Sequence, residues 1–259
     1  MVAVLSVNLN KVALLRNSRE GQTPSVVEAA RTVLAAGARG ITVHPRPDQR
    51  HIRPSDVQDL SSLLNDYPGI EFNIEGNPFA GPRDNGYPGF DALIESTRPQ
   101  QATLVPDTDN QLTSDHGWDL AADTSALREA IGRYRNWGAR VSLFMDPDPE
   151  QIARVPGTGA ERIELYTGPF AELAKRRGLN APETLDSLER YRDAARQATT
   201  LGLGVNAGHD LDQHNLQLFR QIDEIAEVSI GHALISDALD AGLAVTVQAY
   251  LAALAGSTD

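Results

Sequence analysis

Gly37-Ala38-Arg39-Gly40-Ile41-Thr42-Val43-His44 is the stretch on which the fold turns. A glycine stops a helical pattern, and a β-branched run then begins and ends on a histidine. Ahead of it, Pro24–Ala36 carries Val26, Val27, Ala30, Val33 and Leu34 on one helical stripe, with Thr23 as the expected N-cap. Gly37 suits the left-handed residue that closes such a helix. The same punctuation returns at Gly138-Ala139-Arg140 and at Gly159-Ala160-Glu161, each just before another strand-like run. The chain reads as a repeated unit of strand and helix.

Working outward, strands are expected at Ala3–Val7, Gly40–His44, Ile70–Glu75, Ala102–Val105, Arg140–Met145, Arg162–Tyr166, Gly204–Ala207 and Glu227–Ile230. Most read as near-continuous apolar runs, as parallel strands buried on both faces should. Besides Pro24–Ala36, helices are expected at Ser55–Leu64, Phe90–Ser96, Thr124–Trp137, Asp148–Ala153, Leu185–Leu201, Asn215–Ile222 and Asp240–Leu254, with an extra helical turn within Leu173–Thr184. The alternation argues for a parallel α/β fold. A doubly wound open sheet shares it. Eight strands in 259 residues favour a single-domain (β/α)8 barrel covering residues 1–259, since such barrels take about 250 residues. Asn77–Gly89 and Thr108–Asp123 lack periodicity and read as long loops on the catalytic face.

Composition narrows the functions. The net charge of −12 argues against non-specific nucleic-acid binding, which needs Lys and Arg to neutralise phosphates. No apolar run spans a bilayer, and Met1–Asn10 lacks the features of a signal peptide, so a cytoplasmic protein is expected. There is no cysteine, which excludes disulfides and thiolate metal sites and fits a reducing compartment. Lys11 and Lys175 are the only lysines among 23 basic residues.

The polar residues gather at expected strand ends. Asn8, Asn10 and Lys11 follow the first strand. His44 ends the second, with Arg46, Arg50 and His51 behind it. Glu75 ends the third, Glu164 lies within the sixth, His209 follows the seventh, and Gly231 and His232 follow the eighth. In a barrel these converge on one mouth. A lone histidine at a strand end is often structural, but three converging histidines point to acid–base work. A carboxylate within an apolar strand is costly unless paired, so Glu75 and Glu164 should face the mouth or meet an arginine. Glu71, at the other end of its strand, reads as structural or solvated. Arg46, Arg50 and His51 suit a phosphate or carboxylate, and the glycine-led turn at Gly231 suits a second phosphate. The turn Asn206-Ala207-Gly208-His209 is expected to hold His209 near the strand end for proton transfer. His44, His209 and His232 could form a trihistidine metal site, but no carboxylate supports them, and no metal is expected.

Val7-Asn8-Leu9-Asn10-Lys11, Gly40 to Ile52, Asn73-Ile74-Glu75, Ile163-Glu164, Val205-Asn206-Ala207-Gly208-His209 and Ile230-Gly231-His232-Ala233 together resemble, in order, the motifs of the pyridoxine 5′-phosphate synthase family. The resemblance spans almost the whole chain. It implies condensation of 1-deoxy-D-xylulose 5-phosphate with 3-amino-2-oxopropyl phosphate, releasing phosphate and water, by an octameric barrel without metal or organic cofactor. It assigns His44 and Glu75 as general bases and His209 as proton donor. Asn8, Arg19, Asp210, Gly231 and His232 would surround the amino-ketone phosphate. Asn10, Lys11, Arg46, His51 and Thr113 would surround the deoxyxylulose phosphate, and Glu164 would be a further active-site acid. Three departures stand out: Asn10-Lys11 where the family carries Asp-His, Asp210 in place of the glycine usual after the strand-7 histidine, and the apparent insertion Asn77–Gly89. Two alternatives share the barrel. One is a Schiff-base aldolase using Lys11, which would sit at a strand end. The other is a non-catalytic binder of phosphorylated metabolites.

Overall fold

The computed structural model describes residues 2–256; residues 1 and 257–259 of the expected domain lie outside the described residues. Eight parallel strands close into a barrel in chain order: β1 (Val4–Asn8), β2 (Gly40–Val43), β3 (Glu71–Gly76), β4 (Gln101–Leu104), β5 (Arg140–Met145), β6 (Arg162–Tyr166), β7 (Gly204–Gly208) and β8 (Ile225–Ile230). Closure is made by β1 against β8, with Val4 opposite Glu227 and Val7 opposite Ile230. That pairing rules out the open sheet, whose edge strands would have one neighbour each.

The helices are α1 (Asn10–Asn17), α2 (Val26–Ala35), α3 (Pro54–Leu64), α4 (Phe90–Thr97), α5 (Ser125–Asn136), α6 (Pro149–Ile152), α7 (Gly168–Arg177), α8 (Pro182–Thr200), α9 (Leu216–Phe219), α10 (His232–Ala241) and α11 (Leu243–Ala255). Gly37, Gly138 and Gly159 hold the expected left-handed backbone, with φ of 112°, 95° and 86°. Both long loops, 77–89 and 108–123, are free of helix and strand.

Several expectations are corrected. The cap of α2 is Ser25, not Thr23: the Ser25 hydroxyl accepts from the Glu28 N–H at 3.3 Å. The extra turn after β6 is a full helix, α7, that begins directly at the strand end with Pro169 in its first turn. The last expected helix, Asp240–Leu254, is two helices, because Gly242 at φ 85° ends α10 before α11 begins. Helix α1 was not expected. Its start is polar, and it is initiated by Asn8, whose Oδ1 accepts from the Asn10 N–H at 3.0 Å.

The strands are not apolar on both faces. Leu5, Val7, Ile41, Val43, Ile74, Leu104, Val141, Leu143, Ile163 and Leu165 are all fully buried within the hydrophobic core. They alternate with inward-facing polar residues. Burying each aliphatic side chain stabilises the fold by about 1.5–3 kcal/mol, so the ring between sheet and helices carries the stability. Inside the barrel, Ser6 meets Thr42 at 2.8 Å, Asn73 donates to Thr42 at 3.4 Å, and Thr103 donates to Asn73 at 3.0 Å. Lower down, Arg140 donates to Glu71 at 2.6 Å and to Gln101 at 2.7 Å, and Arg162 donates to Asn206 at 2.6 Å. A parallel strand can therefore be buried on both faces with one face polar, provided the polar groups satisfy one another. Glu71 is structural, as expected.

Candidate active site

A pocket of about 450 Å³ opens at the C-terminal ends of the strands. Every residue expected there from the sequence lines it except Arg19, which is exposed in the segment after α1.

One side of the pocket is acid–base machinery. His44 follows β2 directly and is 6% exposed. Its backbone N–H donates to Asn10 Oδ1 at 2.9 Å, and its Nδ1 lies 3.9 Å from Glu75 Oε2. Burial, then the Arg46, His51 and Arg50 charges, holds its pKa well below the usual imidazole range. His44 is therefore a neutral imidazole at physiological pH, able to take a proton. Asn8 Nδ2 donates to Glu75 Oε2 at 3.4 Å. Burial raises the Glu75 carboxyl to about 7, with Asp107 adding and Arg46 opposing. Glu164 on β6 is 3% exposed, and its Oε2 has no hydrogen-bond partner. Burial, then the nearby Glu75 and Glu227 carboxyls, holds its proton on well above the usual carboxylate range. Two acids that hold their protons above the usual carboxylate range thus share one pocket with a neutral histidine, an arrangement suited to stepwise proton transfer.

The other side is cationic. Arg46 is 4% exposed and forms a buried ion pair with Asp107. Arg50 pairs with Asp48 at 2.6 Å and also donates to the Gln111 carbonyl at 3.0 Å, tying the 44–51 loop to the 108–123 loop. His51 Nδ1 accepts from the Ile52 N–H at 2.9 Å. Burial, then Arg46, Lys11 and Arg50, lowers His51 to about 3. A neutral His51 whose Nδ1 is already an acceptor carries its hydrogen on Nε2, as a donor. Lys11 completes this side, but from the first turn of α1 rather than from a strand end. A helix N-terminus lines the same pocket. Gly231 leads into α10, whose first N–H groups have no partner within the helix. A Cβ at Gly231 would come to 3.0 Å from the Asn8 side chain, tighter than ordinary packing, so a larger residue here would press on Asn8.

His209 is held differently from expectation. The left-handed backbone falls on His209 (φ 88°) and Asp210 (φ 60°), not on Gly208. Gly208 is needed for space instead, because a Cβ there would collide with Glu164 Oε1. His209 Nδ1 lies 2.9 Å from Asp210 Oδ2, and its Nε2 lies 2.8 Å from the Thr113 hydroxyl. Arg50, Ser114, Phe144 and Ser229 also line the pocket. Arg50 was expected from its place in the arginine–histidine loop; Phe144 and Ser229 were not singled out and have only an inward register. Among the described residues no cluster of three or more metal-ligating side chains forms.

Fold and pocket define a (β/α)8 barrel with an acid–base site at its strand C-termini. The chain belongs to a particular family of such barrels, described as pyridoxal phosphate biosynthesis protein PdxJ, which it matches over residues 5–256. It is 59% identical over 253 residues to the pyridoxine 5′-phosphate synthase of Xanthomonas campestris pv. campestris (strain B100), covering 97% of this chain and 96% of that protein. It is 52% identical over 257 residues to the enzyme of the same name from Albidiferax ferrireducens, covering 98% of each. The fold is also similar to that of 3-keto-L-gulonate-6-phosphate decarboxylase from Vibrio cholerae, with a TM-score of 0.63 at 12% identity over the full length of both chains.

Proposed function

We propose that the chain is a pyridoxine 5′-phosphate synthase, condensing 1-deoxy-D-xylulose 5-phosphate with 3-amino-2-oxopropyl phosphate to give pyridoxine 5′-phosphate, phosphate and water. The observation that carries this reading is one pocket lined together by His44, Glu75, Glu164 and His209, by Lys11 and Arg46, and by Gly231 at the start of α10. The condensation needs imine formation, dehydration, phosphate elimination and ring closure, each a proton transfer next to a carbonyl or imine. His44 and Glu75 take protons, and His209 returns one to a leaving oxygen. Glu164, protonated, donates a hydrogen bond to a substrate oxygen. Lys11, Arg46, His51 and Asn10 receive the deoxyxylulose phosphate. The N–H groups after Gly231, with Asn8 and His232, receive the amino-ketone phosphate. Arg19, exposed after α1, joins this set only if that segment folds over the pocket. No metal or organic cofactor takes part. The family resemblance supports a homo-octamer acting in the cytoplasm; among the described residues no helix is long and apolar enough to cross a membrane.

The test is to incubate the purified protein with both substrates and to follow product absorbance and phosphate release together. One phosphate per pyridoxine 5′-phosphate is expected. His209→Ala should reduce turnover by about 10²-fold or more with the circular dichroism spectrum retained. A folded wild-type protein that makes no product overturns the reading.

A further inference from the structure

We propose that Asp210 is a positioning residue for His209, fixing the imidazole with its hydrogen on Nδ1 so that Nε2 is the atom that exchanges protons with the substrate. Neighbouring residues of an extended chain point to opposite sides. Here both residues leave β7 in left-handed backbone, at φ 88° and 60°, and their side chains turn to meet at 2.9 Å. That backbone is uncommon for residues with a Cβ, so something must hold it. The Thr167 hydroxyl lies 2.7 Å from the Gly208 carbonyl and 2.5 Å from the His209 carbonyl. Asn215 Nδ2 donates to the Asp210 carbonyl at 3.1 Å.

A carboxylate only accepts hydrogen bonds, so it selects the hydrogen on Nδ1. The hydrogen bond with His209 holds the Asp210 carboxyl below its usual range, with the His209, His232 and Lys11 charges adding. Asp210 is therefore ionised when the imidazole is called on to carry its positive charge. Thr113 Oγ1, 2.8 Å from Nε2, occupies the place where a substrate oxygen would take the proton. The groups that face the imidazole are these two, the Tyr166 ring with its centroid 5.1 Å away edge-on, and Glu164, whose Oε1 packs against Gly208. Lys11 and His232 act on it through Asp210. Among these, only Asp210 makes a direct contact with Nδ1.

The inference rests on His209 being the proton donor of the proposed reaction. Its test is histidine-selective nitrogen NMR of the wild type, Asp210→Asn and Asp210→Gly, with the His209 signal assigned by its loss in His209→Gln. Glycine at φ 60° carries no strain, so Asp210→Gly is expected to fold. In the wild type the neutral ring should show its hydrogen on Nδ1. In Asp210→Gly the hydrogen should redistribute toward Nε2, and in Asp210→Asn, whose amide can accept or donate, the preference for Nδ1 should weaken. At neutral pH kcat should drop about tenfold with KM within about twofold. An unchanged His209 tautomer in both variants, or a loss confined to KM, overturns the proposal, because a phosphate contact would act on KM alone. The NMR reads the imidazole directly, so it decides the proposal even for a protein that fails the condensation assay.

Discussion

Glu75→Gln is expected to lower kcat by about 10²- to 10⁴-fold, the range a positioned general base supplies. The substitution keeps the shape of the side chain and its contact with Asn8 Nδ2, so the loss is one of basicity rather than of structure. Because the Glu75 carboxyl titrates at about 7 rather than near 4.5, wild-type kcat/KM should rise with pH through about 7, and the variant should lack that limb. Stability should move the opposite way. The folded state binds the Glu75 proton more tightly than the unfolded chain does. Its contribution is complete below about 4.5 and is lost as pH rises through about 7. Gln mimics the protonated form at every pH. The variant should therefore be more stable than the wild type at pH 8, by on the order of 2 kcal/mol, and should converge with it near pH 5. Paired denaturant titrations at the two pH values check this. A variant no more stable at pH 8 than at pH 5, relative to wild type, would show that the carboxyl is not held protonated by the fold.

Arg16→Met should destabilise the protein by about 3–5 kcal/mol. For a chain of this length that corresponds to roughly a 10 °C fall in melting temperature. Arg16 is 3% exposed and grips Asp56 with both guanidinium NH2 groups, one of them at 2.9 Å from Asp56 Oδ2. The same side chain donates to the His51 carbonyl at 3.2 Å. Asp56 in turn accepts from the Arg53 N–H at 2.8 Å and closes the N-terminus of α3. Removing the arginine leaves a buried carboxylate without its counter-charge, which accounts for most of the cost. A double variant, Arg16→Met with Asp56→Leu, should recover much of the loss, because a buried pair replaced by apolar groups is often neutral. If the single variant melts within a degree or two of wild type, the pair is not what ties α1 to α3.

The barrel was legible because its punctuation is local. Glycine in left-handed backbone leaves a mark in the sequence, and Gly37, Gly138 and Gly159 each marked a strand to come. The strand-end histidines and glutamates were legible for a related reason: a charge inside an apolar run is too costly to be accidental. What escaped depends on tertiary context. The polar half of each strand was hidden among aliphatic neighbours, since Thr42, Asn73 and Thr103 read as tolerated exceptions until their partners on adjacent strands are known. Helix α1 was missed because its first residues are weak helix formers and Asn8 initiates it through a side-chain bond. The pairing of Asp210 with His209 was unreadable, because adjacent residues are not expected to face each other. Arg19 was carried over by motif position alone, and nothing in its surroundings brings it to the pocket.

The polar lumen has a thermal consequence. On unfolding, hydration of apolar surface raises the heat capacity, whereas hydration of polar surface lowers it. A barrel whose central layers are Ser, Thr, Asn, Gln, Glu and Arg exposes less aliphatic surface from its middle than one filled with Val, Ile and Leu. Its stability should therefore vary less steeply with temperature than that of an aliphatic-cored barrel of equal length. The protein would then lose less of its margin on warming or cooling away from its optimum, and the same buried polar groups that shape the pocket floor would broaden the range over which the barrel stays closed.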